Sequence, residues 1–390
     1  MTLTSSTALP ATLTIQLVTD IEAIDAHAWD ALTDGTPFIQ YAFLSALAQS
    51  KSVGEGTGWT SYFITITDAA SHLVGAMPVY LKTHSYGEYV FDWSWAEAYQ
   101  QHGVAYYPKL ISAVPFTPVT CTKLLSHAPE VSQLLVNALS QVMTQHQLSS
   151  AHVLFPSEAC QPYFEEAGWL KRDGVQFRWQ NKNYADWNDF LATLSHDKRK
   201  KIRQERKKVV DAGVSCKWLS GADIQEEDWD FFYTCYCNTY EAHYSTPYLT
   251  RAFFSLIGQS MSQHILLIVA EKDGKPVAAA LNIYNASTLY GRYWGAVEYV
   301  PNLHFELCYY QAQAFCIAQN IRFFEGGAQG EHKLARGFEP RPTCSYHRIA
   351  HPEFASAIAA FVRQESGRMS AYTSELEERV PFKKSATHST

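Results

Sequence analysis

The chain has 390 residues and a formal net charge of −7, from 31 lysines and arginines against 38 aspartates and glutamates. Nearly half of it (47%) is hydrophobic and only 18% is charged. This composition excludes a disordered or coiled-coil chain and indicates a globular protein long enough for two domain cores. A net negative chain has no overall attraction for nucleic acid, so we expect no DNA partner.

The eight cysteines are scattered, with no CxxC pair and no zinc-ligand spacing. We therefore expect reduced thiols and no bound metal. The first residues lack the basic and apolar regions of a signal peptide. No run approaches the roughly 20 apolar residues of a membrane span. The sequence thus predicts a cytoplasmic protein without a membrane span.

Strands and helices alternate along the first half. Runs rich in β-branched and aromatic residues predict strands at 13–18, 59–67, 73–82, 152–155 and 176–180. Helices are predicted at 21–32, 41–49 and 129–147. The last of these shows the clearest helical spacing of apolar residues.

The second half has the same alternation. Helices are predicted at 186–194, across the basic run 198–208, and at 227–242, 250–261, 306–319, 331–336 and 352–365. Gly213 is expected to end the basic helix. Strands are predicted at 265–271, 276–284, 289–295, 322–325 and 343–349, the first two as a hairpin.

The two halves end alike. Ala167-Gly-Trp-x-x-Arg172 follows a helix and a strand in the first half, and Arg336-Gly-Phe-x-x-Arg341 does so in the second. This repeat predicts two diverged copies of one α/β fold with a mixed sheet, at residues 13–182 and 183–390. Ionisable residues gather in the second copy, so we expect the active site there.

A glycine-rich segment, Phe324–Phe338, follows a predicted buried strand. Its glycines, Gly326, Gly327 and Gly330, allow a backbone to approach a ligand closely. Lys333 and Arg336 are three residues apart and are expected to share a helical face. Cations beside such a loop predict a site for the phosphates of a donor.

The same segment holds two candidate proton acceptors. Glu325 or His332 is expected to take a proton from an attacking amine. The alternative interpretation is a glycine-rich turn with solvated charges. Neither the GxxxxGK[ST] nor the GxGxxG order is present.

A second candidate cluster follows in the strand 289–295 and the next helix. Arg292 and Trp294 are expected to share one face of the strand, with Tyr293 on the other. His304, Glu306 and Tyr310 are expected to join them in binding the substrate. The alternative is a core of aromatic residues with a structural Arg–Glu pair.

Two further groups of residues are candidates for binding. On a helix, the basic run places Arg199 and Arg203 on one stripe, which predicts contacts to phosphates, or else a solvated basic face. In the first half, Asp92, Trp95 and Glu97 are candidates for binding an acceptor. The carboxylates of Asp92 and Glu97 are alternatively hydrogen-bond partners of nearby tryptophans.

Several long segments resemble a known family. They are 88–99, 113–119, 199–206, 289–295, 304–311 and 325–338. In these, the chain resembles the bacterial peptidoglycan biosynthesis/recognition proteins, which are relatives of the Fem aminoacyl-transferases in the GNAT superfamily. The resemblance implies tandem GNAT-like domains and transfer of an acetyl, fatty acyl or aminoacyl group to an amine.

The resemblance also implies the partners. The donor would be an acyl-CoA or an aminoacyl-tRNA, with no permanently bound cofactor, and the acceptor a small amine or a cell-envelope precursor. Lys333 or Arg336, before Gly337-Phe338, is the nearest counterpart of a lysine in a Fem turn. The loop by which ordinary GNAT domains bind acetyl-CoA has no match at 297–303. The alternative function is a non-catalytic protein that recognises a peptidoglycan precursor or a lipid headgroup.

Overall fold

The structure, a computed structural model, describes residues 2–3, 13–327 and 330–382. Its strands are β1 (Thr2–Leu3), β2 (Thr14–Val18), β3 (Trp59–Thr67), β4 (Leu73–Lys82), β5 (Lys109–Ser112), β6 (Ser150–Leu154), β7 (Leu170–Gln180), β8 (Val214–Ser220), β9 (Ile265–Lys272), β10 (Lys275–Tyr284), β11 (Thr288–Ala296), β12 (Phe323–Glu325) and β13 (Glu339–Ile349).

Its α-helices are α1 (Ala26–Ala31), α2 (Tyr41–Gln49), α3 (Trp93–Gln101), α4 (Pro129–Gln145), α5 (Gln161–Glu166), α6 (Trp187–Thr193), α7 (His196–Asp211), α8 (Glu226–Ala242), α9 (Arg251–Ser260), α10 (Leu303–Phe305), α11 (Ala312–Ala318) and α12 (Pro352–Glu378). A π-helical turn, Glu306–Gln311, joins α10 to α11, and a 3₁₀ helix covers Glu331–Arg336.

The chain forms two compact units that are not contiguous in sequence. The first unit holds the residues up to 174, with 248–253 and 343–370; the second holds 175–247, 254–342 and the residues from 371 on. The predicted boundaries, 13–182 and 183–390, differ from this division. The reason is strand pairing: the end of β13, Ser345–Ile349, hydrogen-bonds to β6, so it belongs to the first unit.

In the first unit the strands lie in the order β1-β2-β3-β4-β5-β6-β13. The pair β5–β6 is parallel and its neighbours are antiparallel. Pro129 stands at the start of α4, where its missing N–H costs nothing. The apolar stripe of α4, including Leu135 and Leu139, packs into the core of this unit with Ile64 and Val79.

In the second unit the order is β7-β12-β11-β10-β9-β8, where β7 contributes its second half. The pair β11–β12 is parallel, and β9–β10 is the predicted hairpin. Asp273 and Gly274 at its tip both have positive φ, 52° and 72°, as a two-residue turn requires. Gly213, with φ 76°, follows the end of the basic helix α7, as predicted.

Strand β11 contains a β-bulge at Arg292. Leu281 on β10 pairs with Tyr293, whereas the next residue, Asn282, pairs with Gly291. Arg292 is therefore the extra residue on β11. A bulge interrupts the alternation of side chains between the two faces of a sheet and redirects the residues beside it.

Most predicted elements are found near their expected bounds, with informative differences. The predicted helix 21–32 is a 3₁₀ turn, Ile21–Ala23, followed by α1. The sequence does not predict strand β8, and α12 extends well beyond residue 365. No helix in the described ranges combines the length and the apolar character needed to cross a bilayer.

Candidate active site

A cavity of about 180 Å³ lies in the second unit beside the parallel strands β11 and β12. We call it the small cavity. It is lined by Ala280, Leu281, Asn282, Gly291, Arg292, Tyr293, Trp294, His304, Cys308, Tyr309, Phe324 and Gly326. Both polar and apolar side chains line it, and a concave site with convergent polar groups is typical of small-molecule binding.

Tyr309 connects the small cavity to a histidine outside it. Its hydroxyl lies 2.9 Å from Nε2 of His332, at hydrogen-bond distance. His332 is exposed, and its ring also packs on Phe305. Partial burial, followed by the charges of Arg336 and Lys333, lowers the pKa of His332 below its ordinary 6.5. The imidazole is thus mostly neutral at pH 7 and can accept a proton.

The glycines of the 324–338 segment make room for neighbouring side chains. A Cβ on Gly330, whose φ is 102°, would lie 2.4 Å from Cε1 of His332. A Cβ on Gly326 would lie 2.7 Å from Cε1 of Phe338. Gly327 has φ 78°, and a Cβ there would meet nothing within 4 Å. Gly330 and Gly326 therefore permit close packing around His332 and the cavity wall.

Glu325 stands at the end of β12, between two residues of the cavity lining. Because strand side chains alternate, Phe324 and Gly326 share one face, and the Glu325 carboxylate lies on the other. There its Oε1 is 3.7 Å from Nη1 of Arg178, its register partner on β7. Burial raises the pKa of Glu325 to about 7, although Arg178 and Arg341 oppose the shift.

Lys333 and Arg336 are both buried rather than presented on a surface loop. Nζ of Lys333 lies 3.4 Å from the carbonyl oxygen of Gly327, and burial lowers the Lys333 pKa to about 8. Arg336 donates to the carboxylate of Glu205 at 2.9 Å and to the carbonyl of His332 at 2.8 Å. Its guanidinium also lies 3.6 Å from the Phe305 ring centroid.

Two predicted substrate contacts instead hold the basic helix α7 in place. Glu306 accepts hydrogen bonds from Arg206, at 2.9 Å to Nη2. The Tyr310 hydroxyl donates to Glu205, the carboxylate that also holds Arg336. Neither Glu306 nor Tyr310 lines the small cavity. Glu306 thus belongs to an Arg–Glu pair, but its arginine is Arg206 on α7 and not Arg292 of the same predicted cluster.

Arg292, Trp294 and His304 do line the small cavity, as the sequence predicts for a substrate wall. That Arg292 and Trp294 share one strand face stays a prediction, and the two side chains make different contacts. Trp294 packs on His304, with ring centroids 4.8 Å apart, whereas Arg292 contacts Tyr293, Nη2 to hydroxyl 3.3 Å. Burial lowers the pKa of His304 to about 4.

The remaining cationic candidates lie on α7. Arg203 is exposed and Arg199 is half-buried, while Ile202 on the same stripe is buried. Neither arginine lines the small cavity.

Asp92 and Trp95 lie in the first unit, in a buried charged cluster. Asp92 forms an ion pair with Lys109, which also bonds Glu88 at 2.8 Å. Burial acts to raise the Asp92 pKa, but the Lys109 ammonium outweighs it and holds the pKa well below its ordinary value. Trp95 is buried against His347. Glu97 is exposed and accepts from Gln101, apart from this cluster.

Comparison with known sequences settles the family. The sequence profile of the FemAB-like family, described as peptidoglycan biosynthesis/recognition, matches residues 20–384. The chain belongs to the FemAB-like family. No curated protein is significantly similar to it in sequence.

Solved structures resemble this FemAB-like chain at low identity. FemX is 10% identical with a TM-score of 0.52, covering 86% of this chain and 98% of its own. L-PGS from Bacillus licheniformis is 10% identical with a TM-score of 0.53, covering 87% and 96%. The C-terminal domain of a putative lysylphosphatidylglycerol synthetase from Agrobacterium fabrum is 10% identical with a TM-score of 0.52. The match covers 88% of this chain and 96% of that domain. These matches concern the fold, and the predicted mixed α/β fold class is confirmed.

Some residues of this FemAB-like site could not be assigned from sequence. Tyr309 stands beside Tyr310 in a segment already singled out, and only the π-helical turn determines which tyrosine faces the cavity. Asn282 lies in an ordinary apolar segment that carries no signal, and Cys308 lies in the segment 304–311 without being singled out there. Glu205, which accepts from Arg336, lies within the basic run 198–208, where the surrounding lysines and arginines gave no reason to select it.

Proposed function

We propose that this FemAB-like protein is a transferase that moves an acyl group from an activated ester or thioester to an amine, with the reaction at the small cavity. Membership of the FemAB-like family and the GNAT-like fold support the reaction class. The observation that carries the location is the hydrogen-bonded pair Tyr309–His332. It links a polar-lined cavity to an exposed, neutral base.

The chemistry at this site needs one proton acceptor. The amine nitrogen attacks the donor carbonyl carbon, a C–N bond forms, and the C–S or C–O bond to the leaving group breaks. The amine proton passes to the Tyr309 oxygen while the Tyr309 proton passes to His332. His332, which is exposed, then releases this proton to solvent, and the leaving thiolate or alkoxide takes one proton from solvent, so the protons balance. Arg292, on the cavity wall, is positioned to stabilise negative charge on the carbonyl oxygen.

This assignment chooses between the two bases that the sequence left open. His332 reaches the small cavity through Tyr309, whereas the Glu325 side chain lies on the other face of β12 from Phe324 and Gly326. We assign His332 as the base that acts through Tyr309. Arg336 is assigned a positioning role, because Glu205 and Phe305 hold it beside the backbone of His332.

The test is amide formation, detected by mass spectrometry, with acyl-CoAs and charged tRNAs as donors and a panel of amines and envelope precursors. Tyr309→Phe and His332→Ala should each lower kcat by about 10²–10⁴-fold. His196→Ala is the matched control, since His196 is also an exposed histidine of the second unit, but its ring contacts Asp197 and not Tyr309. Full activity in both variants would show that the site is wrong. Thermal stabilisation by a precursor alone, with no turnover for any donor, would favour the non-catalytic binding protein.

A further inference from the structure

A second, larger cavity lies in the same unit. It has a volume of about 460 Å³, within the volume range of small-molecule binding clefts. We call it the large cavity. It is lined by Asn238, Thr239, Ala242, His243, Trp294, Ala296, Val297, Glu298, Tyr299, Val300, Asn302, Leu303, His304 and Phe305.

The large cavity does not suit a phosphate group. Among its lining residues, all of them described in the structure, there is neither a lysine nor an arginine. The carboxylate in the lining, Glu298, forms an ion pair with Lys272 outside it. A phosphate there would meet a negative charge and no cation from the lining, and so would lose its hydration without compensation.

Polar side chains of the lining are engaged by the backbone. Asn238 donates to the carbonyl oxygen of Ala296 at 3.2 Å, and Thr239 donates to that of Trp294 at 2.8 Å. These bonds fix α8 against β11. What remains for a ligand is mainly apolar surface from residues such as Val297, Val300 and Leu303.

The two cavities share two residues. Trp294 and His304, in ring contact with each other, line both. A molecule with an apolar tail and a polar head can therefore place its tail in the large cavity and its head beside Tyr309 and Arg292. The acyl part of an activated donor has this form.

We propose that the large cavity holds the apolar chain of the donor's acyl group, so that the enzyme selects medium-length or longer acyl chains over acetyl and aminoacyl groups. This inference rests on the proposed function. An acetyl group would leave the large cavity unfilled, and a charged side chain would find no free partner of opposite sign in its lining. Each buried methylene contributes about 0.8 kcal/mol, or about fourfold in affinity.

The first experiment measures binding and turnover separately. Isothermal titration gives the Kd of acetyl-, hexanoyl- and decanoyl-CoA, and mass spectrometry gives kcat/KM for the same donors with an amine. Affinity and kcat/KM should both rise with chain length, by on the order of 10²-fold or more from acetyl to decanoyl. Equal affinity for all three donors overturns the inference. A rise in affinity with no amide from any donor supports the cavity assignment and refutes the proposed function instead.

The second experiment fills the large cavity. Ala296 is half-buried on β11 and offers its backbone oxygen to Asn238, so Ala296→Phe adds bulk without removing that bond. The preference for decanoyl over acetyl should fall by at least tenfold. Ala222→Phe is the matched control, at an exposed alanine outside both linings. If Ala296→Phe does not fold, Val297→Trp replaces it at an exposed lining position. An unchanged preference in a folded cavity-filling variant overturns the inference.

Discussion

The substitution Gly330→Ala tests how the glycine-rich segment serves the reaction. The added Cβ would lie 2.4 Å from Cε1 and 2.9 Å from Nδ1 of His332, closer than non-bonded atoms approach. The backbone cannot relieve the contact by itself, because φ of 102° is already unfavourable for alanine. The imidazole must therefore swing away from Gly330. Its 2.9 Å hydrogen bond to Tyr309 should then be lost.

The expected magnitudes separate two effects. Positive φ at a residue with a Cβ costs about 1–3 kcal/mol, which lowers Tm by about 2–4 °C per kcal/mol. Loss of the base costs about 10²–10⁴-fold in kcat. Gly327→Ala is the matched control: its φ of 78° brings the same kind of strain, but nothing lies within 4 Å of the added Cβ. It should lower Tm and leave the His332 geometry intact.

The assay is a double-mutant cycle of Gly330→Ala with His332→Ala, read as kcat for amide formation and as Tm. If the glycine acts through His332, then Gly330→Ala has no further effect on kcat once His332 is removed. Additive losses in kcat would refute this reasoning. So would equal losses of kcat in Gly330→Ala and Gly327→Ala.

Other consequences follow from the buried charges. Glu205→Gln leaves the buried Arg336 charge uncompensated and should lower the free energy of unfolding, measured by urea titration, by about 3–5 kcal/mol. The control is Asp211→Asn on the same helix. It breaks an exposed ion pair with Lys207 and should lower the free energy of unfolding by at most about 1 kcal/mol. A Glu205→Gln protein as stable as wild type would contradict this account of Arg336. The pKa of Glu325 is about 7 in the folded state, above its ordinary 4.5. Between these two pH values the folded state binds more protons than the unfolded state, so the free energy of unfolding falls as pH rises from 4.5 to about 7. Glu325→Gln should flatten the pH dependence there, and an identical slope in the variant would count against it. Because the His332 pKa is lowered, kcat should rise with pH through a midpoint below 6.5, and a midpoint above 6.5 would exclude His332 as the base.

Local signals predicted the secondary structure well, because it depends on neighbouring residues. The hairpin β9–β10 follows from two apolar runs around an Asp-Gly turn, and α4 from its apolar stripe. The division into units did not follow, because it depends on which strand β13 pairs with. The sequence of residues 345–349 does not indicate that β6 is the strand with which they pair.

The candidate site shows the same limit. Family resemblance and clustering singled out His332, Arg292, Trp294 and His304. The bulge at Arg292 is set by pairing with β10. The partner of Arg336 lies more than a hundred residues earlier, at Glu205, so its burial could not be read from the glycine-rich segment.

Photochemical labelling tests the central claim most directly. A decanoyl-CoA with a diazirine near the end of its acyl chain would be bound, irradiated, and its attachment site mapped by peptide mass spectrometry. The account predicts labels between residues 238 and 305, on the walls of the large cavity. Labels confined to the first unit, around Asp92 and Lys109, would contradict it.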